Sequence, residues 1–176
     1  MAREKKEKPA DQLFSHLDQK GKAKMVDVGA KEVTERVALA KGEIYLGPKI
    51  MEALIAQNVK KGDVLGVARV SGIMAAKKTS SIIALCHNIP ITGCEIDFDL
   101  DEKNNVVKAS CLVGTNSYTG VEMEALTGVS VALLTVYDMC KSIDKGMVIR
   151  QVRLMKKTGG KSGTYVGDDG QKEFDL

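Results

Sequence analysis

The segment 119–143, TGVEMEALTGVSVALLTVYDMCKSI, constrains the fold more than any other part of the chain. Its Val, Leu, Ala and Met residues recur at helical spacing, which predicts one long helix. A helix that is apolar on more than one side must be covered on more than one side. We therefore expect this helix to pack against the body of the protein and also to take part in contacts between subunits.

The segments around this helix predict an α+β architecture. Strands are expected at 34–46, 89–100, 106–113 and 147–155, and the alternation is strictest at Glu95–Leu100. One helix is expected after Pro48 and another over 64–83. The order β-α-α-β-β-α-β becomes the ferredoxin-like β-α-β-β-α-β order when one helix is set aside. The sequence thus predicts a sandwich of an antiparallel sheet with helices on one face, plus one extra helix.

The two ends of the chain differ in composition from its centre. Residues 1–24 carry seven Lys/Arg against four Asp/Glu and few apolar side chains, which predicts a mobile basic arm. Residues 158–176 contain five glycines, and a flexible tail is expected from 164 to 176. We expect one folded domain over 25–163.

Composition excludes several classes of protein. Apolar residues make up 44% and charged residues 28% of the 176-residue chain, and no apolar run approaches the about 20 residues of a membrane span. The four cysteines show no CxxC spacing, and His16 and His87 are the two histidines, so neither a disulfide scaffold nor a Cys/His metal centre is expected. No secretory leader is recognisable, and we expect a cytoplasmic protein with reduced thiols.

Cys86 and His87 form the first candidate for a functional site. They lie where a predicted helix gives way to a strand, and sites are often built at such junctions. His87 is the one histidine of the expected domain. The alternative interpretation is a buried thiol beside a structural histidine.

The long helix supplies the second candidate, its charged residues Glu122, Glu124, Asp138 and Lys141. The first two acids also suit the positive end of a helix, and Asp138 with Lys141 could be an ordinary surface ion pair. Glu124 and Asp138 are 14 residues apart, or about 21 Å along a helix. Both can reach one small ligand if that ligand is long or if a second chain contributes.

Three lysine-containing turns are the third candidate: 60–62, 77–78 and 156–163. The last, KKTGGKSG, combines glycines, lysines and hydroxyls that can surround an anion, although it lacks the spacing of a P-loop. With aromatics at 4%, the three turns fit a polyphosphate better than a nucleic acid.

Five motifs in sequence order carry a resemblance to a known family: KMVDV, KKGDV, the Leu85-Cys86-His87 segment, the helix 119–141, and KTGGKSG. The chain resembles the cyclic pyranopterin monophosphate synthases, the molybdenum cofactor biosynthesis proteins C. The family usually has a proline after the histidine, and this chain has Asn88.

The resemblance implies a ferredoxin-like hexamer, built as a trimer of dimers with sites at dimer interfaces. It implies conversion of a cyclised dihydro-GTP (3',8-cyclo-7,8-dihydro-GTP) to cyclic pyranopterin monophosphate with loss of pyrophosphate. It assigns catalysis to Asp138, Lys141 and Lys61. It assigns substrate contacts to the following residues: Leu85, Cys86, His87, Glu122, Met123, Glu124, Arg36, Lys77, Lys157 and Lys161. The resemblance implies no resident cofactor, although Mg²⁺ can accompany the triphosphate.

The residue types suit that chemistry, because cations stabilise charge on a departing pyrophosphate and the ring rearrangement needs proton transfers. Lysines crowded together are expected to lower one another's pKa values. Two alternatives stay open. One is a non-catalytic nucleotide-sensing module, and the other is an RNA-binding domain of the same topology, for which Phe98 would have to belong to an aromatic platform.

Overall fold

The computed structural model describes residues 21–167, which fold into a sheet and a layer of helices. In chain order the helices and strands are β1 (Thr34–Tyr45), α1 (Pro48–Ile55), α2 (Val64–Ala76), α3 (Thr79–Ile82), β2 (Gly93–Asp101), β3 (Val106–Ser117), α4 (Glu122–Cys140), β4 (Val148–Thr158) and β5 (Tyr165–Val166). A 3₁₀ turn, Glu102–Asn104, joins β2 to β3.

The sheet has the strand order β2-β3-β1-β4-β5, and every neighbouring pair is antiparallel. Strands β1 to β4 therefore have the order expected of the ferredoxin-like fold, which confirms the predicted fold class. The fifth strand, Tyr165–Val166, adds to the edge of β4. The flexible tail expected over 164–176 thus begins with a two-residue strand, and 168–176 lie outside the described residues, as do 1–20 of the expected arm.

One face of the sheet carries the core. Alternate residues of β1 and β3, such as Ala40 and Cys111, are fully buried against α4, because side chains on a strand alternate between faces. Helix α2 crosses α4 at Gly72 and Gly128. A Cβ on Gly72 would lie 2.7 Å from the Gly128 carbonyl oxygen, so glycine is what allows this close crossing.

Helix α4 is the centre of this core and the strongest sequence prediction. Its nine buried residues include Val129, Leu133 and Val136, which pack towards the sheet. By length and composition alone α4 could cross a membrane, contrary to the expectation that no segment approaches that limit. Half of it is buried within the protein, which is the environment of a core helix.

The prediction of one continuous helix over 64–83 is wrong, because the helix breaks at residues 77–78 into α2 and the short α3. Helix α2 ends at Ala76, where the Thr79 hydroxyl donates to the carbonyls of Ala75 and Ala76 at 3.4 and 3.0 Å. The Ala75 carbonyl also accepts from the Lys78 N–H at 2.9 Å, a 3₁₀-type bond that tightens the last turn, and the threonine hydroxyl adds a side-chain partner at the point where the helix ends. The short α3 then turns the chain towards the Cys86-His87 segment.

Candidate active site

The carboxyl end of α4 holds a three-residue charged cluster. Both lysines reach the Asp138 carboxylate: Lys141 Nζ lies 2.6 Å from Oδ1 and Lys61 Nζ lies 3.0 Å from Oδ2. Lys61 also donates to the Asp138 carbonyl at 2.8 Å, which ties the turn before α2 to the end of α4. The three predicted catalytic residues are therefore in contact.

Electrostatics within this cluster favours the charged forms. Hydrogen bonds from Lys141 and then Lys61 lower the pKa of Asp138 to about 2. The same carboxylate raises the pKa of Lys141 above its usual value. The expectation that neighbouring lysines depress one another's pKa is therefore wrong for Lys141, since a carboxylate lies between the two ammonium groups.

A cavity of about 450 Å³ lies at the opposite end of α4. Six predicted substrate contacts line it: Leu85, Cys86, His87, Glu122, Met123 and Glu124. The loop after α3 brings in the first three, and the first turn of α4 brings in the others. Sequence analysis placed these two segments in one site, and the structure brings them together.

Glu124 is the buried carboxyl of this cavity, with 5% of its surface exposed. Burial, with a smaller contribution from Glu122, raises the pKa of the Glu124 carboxyl. Burial and the nearby Glu124 likewise raise the pKa of the Cys86 thiol, so Cys86 is held as a thiol rather than a thiolate nucleophile. A carboxyl whose pKa is raised in a cavity is a candidate for proton transfer.

Sequence analysis missed the N-terminal segment that forms one wall of the cavity. Val26, Val28 and Lys31 line it, and the carbonyl of Val26 lies 2.7 Å from His87 Nε2. With its Nε2 protonated, His87 donates to this carbonyl and holds the segment in place. The KMVDV motif was the available signal, since it belongs to the resemblance although it contains few groups capable of catalysis.

The four remaining cationic residues predicted to contact substrate differ in their position relative to the cavity. Lys157 lies beside the cavity, with its Nζ 3.1 Å from Glu122 Oε1. Arg36 donates to the Ser117 carbonyl at 2.9 Å and packs under Gly159 and Gly160, whose φ values of 91° and 69° require glycine.

Lys77 and Lys161 are not among the residues that line the cavity. Lys77 follows the end of α2, where its charge acts on Cys94, and Lys161 is exposed in the glycine turn. The structure of this chain alone does not gather every predicted contact in one place.

Two groups of predicted site residues, called half-sites from here on, thus lie at the two ends of α4, about 21 Å apart by helix rise. One is the Asp138 cluster and the other is the cavity with Glu124. Met123, Leu134 and Asp138 are all exposed on α4, and Leu134 has 57% of its surface exposed between the two half-sites. The separation expected from sequence is therefore real in this chain.

Comparison with known proteins bears directly on these two half-sites. The MoaC family model matches residues 25–160, which includes every residue of both half-sites. The chain is 55% identical over 155 residues to the cyclic pyranopterin monophosphate synthase of Clostridium botulinum, covering 88% of this chain and 98% of the relative.

Two further relatives carry the same name. The protein of Thermoanaerobacter sp. is 53% identical, with 86% of this chain and 96% of the relative covered. That of Desulforapulum autotrophicum is 50% identical, with 88% and 95% covered. Matches of this extent, together with the ferredoxin-like topology, place the chain in the MoaC family.

Proposed function

We propose that this protein is a cyclic pyranopterin monophosphate synthase of molybdenum cofactor biosynthesis. Its substrate is the cyclised GTP intermediate, and its products are cyclic pyranopterin monophosphate and pyrophosphate. The observation that carries the proposal is the Lys61–Asp138–Lys141 cluster, in a chain at least 50% identical to three enzymes of that name.

The charge distribution suits the phosphate part of the reaction. A substrate hydroxyl attacks the innermost phosphorus, the bond to the next phosphate breaks, and pyrophosphate leaves with the electron pair of that bond. Lys157 and Arg36, beside the glycine turn, are proposed to bind the phosphates, because cations stabilise the charge that grows on the leaving group. Lys77 and Lys161 are proposed as outer contacts.

Proton transfer in the ring rearrangement falls to the other groups. Asp138, Lys141 and Lys61 are the proposed proton-transfer groups, because they lie in contact at the end of α4 and acid–base catalysis needs a donor and an acceptor within hydrogen-bond reach. Glu124, with its raised pKa, faces the cavity where the pterin ring would bind. Leu85 and Met123 supply apolar walls for a flat ring.

The complete site is proposed to form between two chains of a homo-oligomer, with the hexamer as the expected assembly. One surface of the helical layer is suited to this contact. It exposes the side chains of Val67, Val70 and Met74 on α2 and of Met123 and Leu134 on α4, and we refer to it as the α2–α4 outer face. Its exposed apolar residues make it a candidate surface for association.

Charge complementarity favours one orientation for that proposed contact. The glutamates Glu122 and Glu124 lie at the start of α4, whereas Lys61 and Lys141 lie at its end. Two α4 helices packed antiparallel about Val131, midway between residues 123 and 138, would align acidic with basic ends. The Asp138 cluster of one chain would then lie beside the cavity of the other.

The structure argues against an RNA-binding alternative. Phe98 lies on the side of the sheet that carries the helices. The Arg69 guanidinium carbon lies over its ring, 5.8 Å from the ring centroid. A stacking platform needs aromatic rings on the exposed side of the sheet. The relatives' shared name favours the enzyme over a nucleotide-sensing module.

The test is incubation of the purified protein with the cyclised GTP intermediate, with and without Mg²⁺, and measurement of pyrophosphate and the cyclic phosphate product. We expect equimolar formation of both. Binding without turnover in both conditions would support the sensing module instead.

A further inference from the structure

Two of the four cysteines lie next to each other on neighbouring strands. In the pairing of β2 with β3, Cys94 lies opposite Val113 and Ile96 lies opposite Cys111. Directly paired residues share a face, as do residues two apart on one strand, so both thiols lie on the side of the sheet that carries the core. Cys94 and Cys111 are therefore diagonal neighbours, and their side chains are hydrogen-bonded to each other.

The two thiols differ in their exposure to solvent. Cys111 is fully buried, and its sulfur lies against Gly128 of α4, where an added Cβ would be 2.6 Å from it. Cys94 is half-buried, and β2 is the outer strand of the sheet. A small solute therefore reaches Cys94 more readily than it reaches Cys111.

The hydrogen bond also makes the two thiols unequal in acidity. The Cys111 S–H donates to the Cys94 sulfur and stabilises its thiolate, and this bond, with a smaller contribution from the charge of Lys77, lowers the pKa of Cys94. The same bond, together with burial, raises the pKa of Cys111. Of the four cysteines, all of which lie within residues 21–167, Cys94 alone has a lowered pKa.

A partly exposed thiol that favours its thiolate, beside a second thiol, is the arrangement of a redox-sensitive pair. We propose that Cys94 and Cys111 form a reversible hydroperoxide-sensitive site, in which Cys94 is oxidised first and Cys111 then closes a disulfide with it. Capture by Cys111 keeps the oxidation reversible, because a sulfenic acid that meets no second thiol can proceed to sulfinic acid.

The proposed reaction has two steps. The Cys94 thiolate attacks one oxygen of hydrogen peroxide, the O–O bond breaks, and the departing hydroxide takes a proton from solvent, which leaves a sulfenic acid. The Cys111 sulfur then attacks the Cys94 sulfur, the S–O bond breaks, and hydroxide leaves and takes up the Cys111 proton. The two thiols together lose two electrons and two protons, and the peroxide is reduced to two molecules of water.

Closure of the disulfide requires a small movement of β2. Diagonal neighbours in a sheet have Cα atoms about 7–8 Å apart, whereas a disulfide usually spans about 4.4–6.8 Å, so the strands must approach by about 1 Å. Gly93 and Gly114 are paired beside Cys94, and a Cβ built on Gly93 would meet no atom within 4 Å beyond its chain neighbours, which leaves room for the shift. The new bond would draw the Cys111 sulfur away from α4, the helix that carries both half-sites.

The test exposes the folded protein to hydrogen peroxide at pH 7 and follows each cysteine by alkylation and peptide mass spectrometry. We expect Cys94 and Cys111 to disappear together into a linked peptide, at least about tenfold faster than Cys86 is oxidised, because the thiolate is the reactive form. Cys86 and Cys140, whose pKa values are raised by burial, are the internal controls. Dithiothreitol should restore both linked thiols.

Two variants separate the two steps. In Cys111→Ala, Cys94 should still be oxidised but should stop at the sulfenic acid, which dimedone traps. In Cys94→Ser, Cys111 should be oxidised no faster than the buried Cys140. The measurement on the parent protein stands by itself if either variant fails to fold.

Three results would overturn the proposal. One is oxidation of Cys94 in the parent no faster than that of Cys86, and another is a Cys94 sulfenic acid that persists while Cys111 stays reduced. The third is a disulfide that links two chains, which non-reducing electrophoresis would show as a covalent dimer. Thiol chemistry is measured here without turnover, so the outcome is independent of the proposed function.

Discussion

Truncation of Leu134 should weaken the contact between chains without weakening the chain itself. Leu134 lies on α4, three residues from Val131 at the centre of the proposed pairing, and 57% of its surface is exposed. Burying a whole leucine side chain contributes about 1.5–3 kcal/mol, so burying the exposed part contributes about 1–1.5 kcal/mol. An antiparallel α4 pair buries two copies, which gives about 2–3 kcal/mol per dimer.

That free energy corresponds to a roughly 30- to 140-fold weaker dimer for Leu134→Ala, at 1.4 kcal/mol per tenfold. Sedimentation across a dilution series measures the dissociation constant. Alanine preserves the helix, so thermal unfolding at high concentration should change little. Ile55→Ala on α1, 49% exposed, is the matched control and should leave dissociation unchanged. A Leu134→Ala dissociation constant within about threefold of the parent's would refute the α4 pairing.

Three further predictions follow from individual side chains. Asp138→Asn should lower the rate of pyrophosphate release by about 10²-fold or more, because it removes the charge and the proton acceptor but keeps the shape of the side chain. The circular dichroism spectrum should stay native. A rate within tenfold of the parent's would contradict a catalytic role for Asp138. Burial raises the pKa of Glu124, so the folded state disfavours its charged form and loses stability as pH rises from below the unfolded value of about 4.5 through the folded value. Glu124→Gln should therefore raise the melting temperature relative to the parent more at pH 7 than at pH 4, and an equal effect at both would argue against a buried carboxylate. Gly72→Ala should lower the free energy of unfolding in urea by about 1–2 kcal/mol, since the new Cβ would lie 2.7 Å from the Gly128 carbonyl oxygen. The cost of this overpacking exceeds the gain in helix propensity. A stabilised variant would show that the crossing of α2 and α4 can relax.

The order and type of the main elements could be predicted from sequence because local patterns determine them. The alternation at Glu95–Leu100 and the apolar run of α4 each allow one interpretation. The end of α2 was missed because the helical pattern continues past Ala76, and the Thr79 hydroxyl that ends the helix acts through a contact that spacing does not reveal.

The site could be predicted in part, for a similar reason. The pairing of Asp138 with Lys141 follows from their spacing on a helix, whereas the contact with Lys61 joins residues 77 positions apart. That long-range contact came from the family resemblance. The Val26 carbonyl against His87 could not be anticipated, because a backbone oxygen carries no signature in sequence.

Mixing two inactive variants tests most directly the claim that each site is shared between two chains. Asp138→Asn damages the half-site at the end of α4, and Glu124→Gln damages the cavity at its start. Each variant alone should form less than about 1% of the parent's pyrophosphate. In randomly mixed dimers half the pairs are heterodimers, and one of their two sites is intact, so co-expression should restore about 25% of parental activity if the site is shared. Co-expressed chains that stay as inactive as the separate variants would place both half-sites in one chain and contradict the account.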